Sequence, residues 1–186
     1  MTGTRALLYL ISVLLAAMCI SVYGFTMICF RNLIFLGALL YLSVMDLKSY
    51  IIPDKALLIA LLAWFGAIPF AYEVYGGMFG ICYSVLAAML FAGGILFFIL
   101  MMDRLLQKET MGGGDIKLLA VMGLYLGMPA SLFALFLACV LGLCFALLCI
   151  GNGKPQIPFG PSISIAGWLM LLYGEPIMAW YMKLVL

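Results

Sequence analysis

Asp46 and Asp115 stand out because each is an acid in a strongly apolar neighbourhood, and each is followed two positions later by a lysine: Asp46-Leu47-Lys48 and Asp115-Ile116-Lys117. An ionisable group at membrane depth normally faces a partner or a water-filled cavity, which makes both acids candidates for a functional site. Two carboxylates brought together cannot both ionise, so such a pair holds one proton near neutrality. One member can then polarise a water molecule while the other protonates a leaving nitrogen, and neither a metal nor a covalent intermediate is needed. Gly112, Gly113 and Gly114 precede the second acid. Lacking a Cβ, they allow positive φ and the close approach of another backbone, as a site that must accept a peptide requires. The plainer account of the same stretch is a glycine-rich turn in which Asp115 caps the following helix. Each lysine, two positions beyond its acid, points to a different helical face. Its plainer role is to anchor the helix at the interface; the alternative is an ammonium that keeps one acid of the pair ionised.

The elements that must position these residues are membrane helices. The chain has 186 residues, 68% of them hydrophobic, and a mean hydropathy of +1.31. Several apolar runs are long enough to cross a bilayer, and they are continuous, not alternating, which excludes strands. The expected fold is all-α: a polytopic membrane bundle of about seven or eight transmembrane or part-spanning segments. No polar stretch is long enough for a soluble domain, so residues 1–186 read as one integral-membrane unit. The net charge of +2 gives no reason to expect nucleic acid as a partner. The absence of histidine removes Ser-His and Cys-His catalysis and HExxH zinc sites. Six cysteines, Cys19, Cys29, Cys82, Cys139, Cys144 and Cys149, lie in or beside apolar runs without any C-x-x-C, and are read as small buried apolar residues.

In chain order, Arg5 precedes a first transmembrane helix over Ala6–Ile28, too long for a signal-peptide core. Arg31-Asn32 is read as the connection to a shorter apolar segment, Leu33 to Met45, that ends at Asp46. Pro53 turns the chain, and Asp54 is placed to cap a helix over Lys55–Ala71. Gly77–Met102 leads into a charged stretch with Asp103, Arg104, Lys108 and Glu109. Helices then run from Asp115 to Gly127 and from Pro129 to Ile150. A polar loop carries Lys154, Pro158, Gly160 and Pro161 break the chain at the membrane face, and the last 25 residues form two short helices or one broken one. Placing the loops with Lys48, Lys55, Arg104, Lys108, Lys117 and Lys154 on the side of Arg5 collects seven of the nine basic residues. The positive-inside rule makes that side the cytoplasm, with Arg31 opposite. Helices Leu33–Leu47 and Asp115–Gly127 would each measure ~20 Å against a hydrocarbon core of ~30 Å, which sets both acids just below the cytoplasmic surface.

Three segments in this order carry a specific resemblance. Asp46-Leu47-Lys48-Ser49-Tyr50-Ile51-Ile52-Pro53-Asp54 resembles the first aspartate motif of the type IV prepilin leader peptidases. Met111-Gly112-Gly113-Gly114-Asp115-Ile116-Lys117-Leu118-Leu119-Ala120 resembles the second, and Ile157-Pro158-Phe159-Gly160-Pro161 fits their later segment. The resemblance covers about residues 33–167. It implies a GxGD aspartyl peptidase of the cytoplasmic membrane that removes the short basic leader of prepilin or pseudopilin substrates on the cytoplasmic side, just before their hydrophobic helix. It makes Asp46 and Asp115 the catalytic pair and Gly112 and Gly114, with Gly113 between them, the active-site loop. Lys48, Lys117, Pro53 and Asp54 are supporting candidates. Many bacterial members carry paired C-x-x-C zinc motifs in an insertion near the amino terminus and also methylate the new pilin terminus. Here those motifs are missing, so the expectation is peptidase activity with no methyltransferase activity, zinc, S-adenosylmethionine or other cofactor. Two other readings remain: a small transporter that moves protons or cations on the two aspartates, against which their shallow depth counts, and a peptidase-like protein that has lost activity.

Overall fold

In the computed structural model the apolar runs become eight α-helices and one 3-10 turn, with no strand among the described residues. The structure describes residues 2–108, 111–151 and 158–185; for 2–7, 71, 148–151 and 185 it describes the backbone alone. The helices are α1 (Thr2–Tyr23), α2 (Met27–Ser49), α3 (Asp54–Gly66), α4 (Ala71–Tyr75), α5 (Met78–Leu106), α6 (Gly113–Leu126), α7 (Met128–Gly151) and α8 (Gly160–Val185), with the 3-10 turn Ile68–Phe70 between α3 and α4. Stretches of α2, α5, α7 and α8 are each long and apolar enough to cross a bilayer. The chain is a multi-pass helical membrane protein.

The first boundary differs from the sequence expectation. α1 ends at Tyr23, Gly24 takes a φ of +63°, and Thr26 caps α2, its Oγ1 accepting from Cys29 N at 3.2 Å. Arg31 and Asn32 are therefore not a connection. They lie inside α2 and are buried. The turn forms earlier because a glycine and a threonine supply the left-handed residue and the cap that the chain reversal needs. Within the bundle Arg31 donates to Asn32 and lies against the rings of Tyr75 and Tyr125. As a result α2 is not short: its 23 residues reach ~34 Å at 1.5 Å per residue. Of the two helices that bear the acids only α6 is short, with 14 residues and a length of ~21 Å.

Two further expectations change. Pro53 holds the N-cap position of α3 and Asp54 is its first helical residue, with no side-chain cap. The carboxyl-terminal segments form a single helix, α8, that carries Pro176 in its interior. Cys19 and Cys29 are buried free thiols with their Sγ atoms 3.8 Å apart. Cys82, Cys139 and Cys144 instead lie on exposed helix surface, which in a bilayer faces lipid, and the Cys149 side chain is outside the described residues.

Helices α2 and α6 form the interior. α2 packs on α1, α3 and α8, and α6 on α3, α5, α7 and α8. Phe35, Leu39 and Leu42 of α2 and Leu118, Leu119 and Met122 of α6 are buried in one hydrophobic core. At the end away from Asp46, Phe35 stacks on Tyr125 with ring centroids 4.0 Å apart. Two side-chain bonds tie α3 to α6 there: Trp64 Nε1 donates to Leu124 O at 3.1 Å and Tyr125 Oη to Ala60 O at 2.8 Å.

Candidate active site

Asp46 occupies the last turn of α2, where the backbone already bends away. Tyr50 adopts left-handed geometry at φ 54° and its N–H returns to Asp46 O at 2.9 Å, which closes the helix. The Asp46 side chain points inward and is 6% exposed. Its Oδ2 accepts the backbone N–H of Gly160 at 2.8 Å. This N–H is available because Gly160 opens α8, and the first N–H groups of a helix have no intrahelical acceptor. Pro161 follows in that first turn, where a missing N–H costs nothing. A Cβ at residue 160 would stand 2.7 Å from Asp46 Oδ2 and 3.0 Å from its Cβ and Cγ. Only a residue without a side chain lets the Asp46 side chain approach the start of α8 this closely.

Asp115 is the third residue of α6 and is partly buried. Gly112 holds the N-cap position in extended geometry and its carbonyl receives the Asp115 N–H at 3.1 Å. The acid is thus within the first turn and is not the cap. None of Gly112, Gly113 and Gly114 has positive φ, so the conformational freedom expected of them is not what this turn uses. Close approach is. A Cβ on Gly114 would fall 2.8 Å from Ile52 Cβ, so the segment Ile51-Ile52-Pro53 lies across the start of α6 and draws the end of α2 towards it. At Gly113 a Cβ would meet nothing within 4 Å. Because Ile52 packs on Gly114, Asp46 at the end of α2 and Asp115 at the start of α6 share this end of the bundle.

The supporting candidates are less closely tied to the pair. Lys117 is bonded at 2.7 Å to Asp54 across the α3–α6 contact, with side chains 59% and 73% exposed. Lys48 is exposed at the end of α2. Asp103 lies in the last turn of α5; Glu109 and Lys154 are outside the described residues. No group of three or more acids or cysteines is gathered closely enough to hold a metal ion among the described residues. The sequence reading did not anticipate the N–H of Gly160 as a ligand of Asp46 or the packing of Ile52 on Gly114. Both residues stood in the quoted motifs, but a backbone donor 114 positions away has no sequence signature.

A helical membrane bundle with two carboxyl groups at one end, one on a spanning helix and the other on a short glycine-led helix, defines a class of paired-aspartate membrane proteins. The model of the type IV leader peptidase family matches residues 33–147, and the chain belongs to that family. Among curated relatives, the prepilin leader peptidase/N-methyltransferase of Aeromonas salmonicida is 37% identical over 155 residues, 80% of this chain and 50% of the relative. Those of Dichelobacter nodosus and Bacillus subtilis are 34% and 29% identical over 78% and 88% of this chain, and over 49% and 64% of their own lengths. The chain thus spans about half the length of most of the relatives it matches. No solved structure gives a significant match.

Proposed function

We propose that this chain is a membrane-embedded aspartyl endopeptidase that removes the leader from prepilin-like or pseudopilin substrates at the cytoplasmic face of the inner membrane. The observation that carries the reading is that Asp46 and Asp115 stand at one end of the bundle, at the end of α2 and the start of α6, in a member of the leader peptidase family. Asp46, whose Oδ2 receives the Gly160 N–H, serves as the ionised partner, since a donor aimed at that oxygen favours negative charge on it. Asp115 holds the proton. The water oxygen bonds to the scissile carbonyl carbon as its proton passes to Asp46. The Asp115 proton then goes to the amide nitrogen as the C–N bond breaks, which leaves one proton on the pair once more.

No C-x-x-C pair occurs in these residues, and the activity proposed is cleavage without methylation of the new terminus. The test is a cleavage assay in membranes with a panel of prepilin-like substrates, comparing the wild type with Asp46→Asn and Asp115→Asn. The product's amino terminus is weighed by mass spectrometry after adding S-adenosylmethionine. Trimming by the wild type, its loss in each variant and an unmethylated product support the reading. Full activity in either variant rejects the mechanism, and a methylated product rejects the restriction to cleavage.

A further inference from the structure

Arg31 and Asn32 have no part in the chemistry of the aspartates, yet both are buried, with 8% and 1% of their surface exposed. They lie towards the opposite end of α2 from Asp46, ~22 Å away along the helix. The guanidinium has only neutral company. Nε and Nη2 donate to Asn32 Oδ1 at 3.1 and 2.9 Å, and the group lies 5.3 and 5.0 Å from the ring centres of Tyr75 and Tyr125. No carboxylate comes within ion-pairing distance of it among the described residues. The orientation of the Asn32 amide follows from this contact, because a guanidinium needs the oxygen and cannot donate to an NH2 group. Asn32 Nδ2 is therefore turned away, and it is buried without a hydrogen-bond partner. A buried cation without a counter-charge and an unpaired amide beside it are both costly inside a membrane protein.

Both residues line one cavity of about 450 Å³, open to the outside, where the α1–α2 turn, the α6–α7 junction and α8 meet. Its other charged residue is Glu175, which is exposed on α8, and its walls include Tyr23, Tyr83 and Met170. The cavity thus sets a buried cation with an unpaired amide donor against an acid nearer the surface, with apolar and aromatic side chains between. We infer that it binds the headgroup of a zwitterionic aminophospholipid, with the phosphate on Arg31 and the ammonium against Glu175. A phosphate supplies the negative charge and the acceptor oxygens that this pair lacks, in the geometry that guanidinium groups favour. Cationic pockets between transmembrane helices are suited to headgroups. A glycerol headgroup would satisfy Arg31 and leave Glu175 without a cation.

The test uses the full chain, purified in detergent, stripped of lipid and titrated with phosphatidylethanolamine or phosphatidylglycerol of matched acyl chains in native mass spectrometry. One phosphatidylethanolamine per chain is expected, bound about fivefold more tightly than phosphatidylglycerol, the worth of one exposed charge pair. Glu175→Gln removes that preference, and Arg31→Gln weakens both lipids about a hundredfold, as loss of a buried charge partner does. If Arg31→Gln fails to fold, Asn32→Asp replaces it. That variant supplies the missing anion from within, so it folds and retains neither lipid. Equal retention of both lipids by the wild type, or unchanged preference in Glu175→Gln, overturns the inference. Displacement of the lipid by water-soluble phosphoethanolamine at the same concentration also overturns it, because the site would then be one for free phosphate compounds.

Discussion

At residue 160 the space for a side chain is already filled by the acid it serves. A methyl group there would stand 2.7 Å from Asp46 Oδ2, so Gly160→Ala must move either the start of α8 or the carboxyl group. The expected result is a loss of leader cleavage of about a hundredfold, the usual effect of a displacement near 1 Å at a reacting group. The melting temperature should change little by comparison, since the rest of α8 keeps its packing. Gly113→Ala is the control: its Cβ meets no protein atom within 4 Å, and cleavage within about threefold of the wild type is expected, as for other substitutions that meet open space. A glycine triplet beside an acid is easy to notice in the sequence. Which of its members matters is not, because that depends on Ile52 packing against Gly114 across the turn. Asp46 and Asp115 were legible as acids in apolar runs. The Gly160 N–H was hidden, since a backbone group looks the same at every position.

Among the elements, α6 is short for its position: 14 residues beside the 29 of α5. Side-chain bonds tie it to α3, and Tyr125→Phe removes the one that Tyr125 Oη donates to Ala60 O. A loss of ~1–2 kcal/mol in unfolding free energy follows for a buried hydrogen bond of this kind, to be read as a lower denaturation midpoint in detergent. The Lys117–Asp54 pair joins the same two helices, but its groups are largely exposed. Asp54→Asn should therefore shift stability by less than ~1 kcal/mol and leave cleavage unchanged, which would separate it from the pair it adjoins in sequence. Element boundaries were legible where the turn chemistry was plain, as at Gly127, and obscured where a charge suggested a cap or a loop, as at Asp54 and Arg31. Arg31 was read as a connector because nothing in its neighbourhood reveals that Tyr75 and Tyr125, 44 and 94 positions further on, come together around it. Pro176 was allowed to divide the last segment, yet α8 passes through it, because packing against α7 and α2 holds a helix that local propensity alone would interrupt.

At the scale of the whole molecule, depth decides what can be cut. α2 is long enough to cross the bilayer, while α6 is ~10 Å short of a full crossing, from its length of ~21 Å against a core of ~30 Å. With the shortfall at its amino end, as the proposed orientation has it, Gly112 to Asp115 would lie in a recess beneath the level reached by the end of α5. A substrate whose apolar helix stands upright beside the bundle brings to that recess only the peptide bond that directly adjoins its apolar segment. Inserting one helical turn of about four residues between the leader junction and the apolar helix would raise the bond by ~6 Å. Cleavage of the inserted substrate should fall at least about tenfold, as expected when a reacting bond leaves attack distance, while its integration into the membrane stays the same. Deleting the same turn from the apolar segment beyond the junction should have little effect, because the junction keeps its depth. Equal cleavage of the inserted and parent substrates would mean that the two acids work at the open membrane surface, and the recess formed by the short α6 would then have no part in choosing the bond.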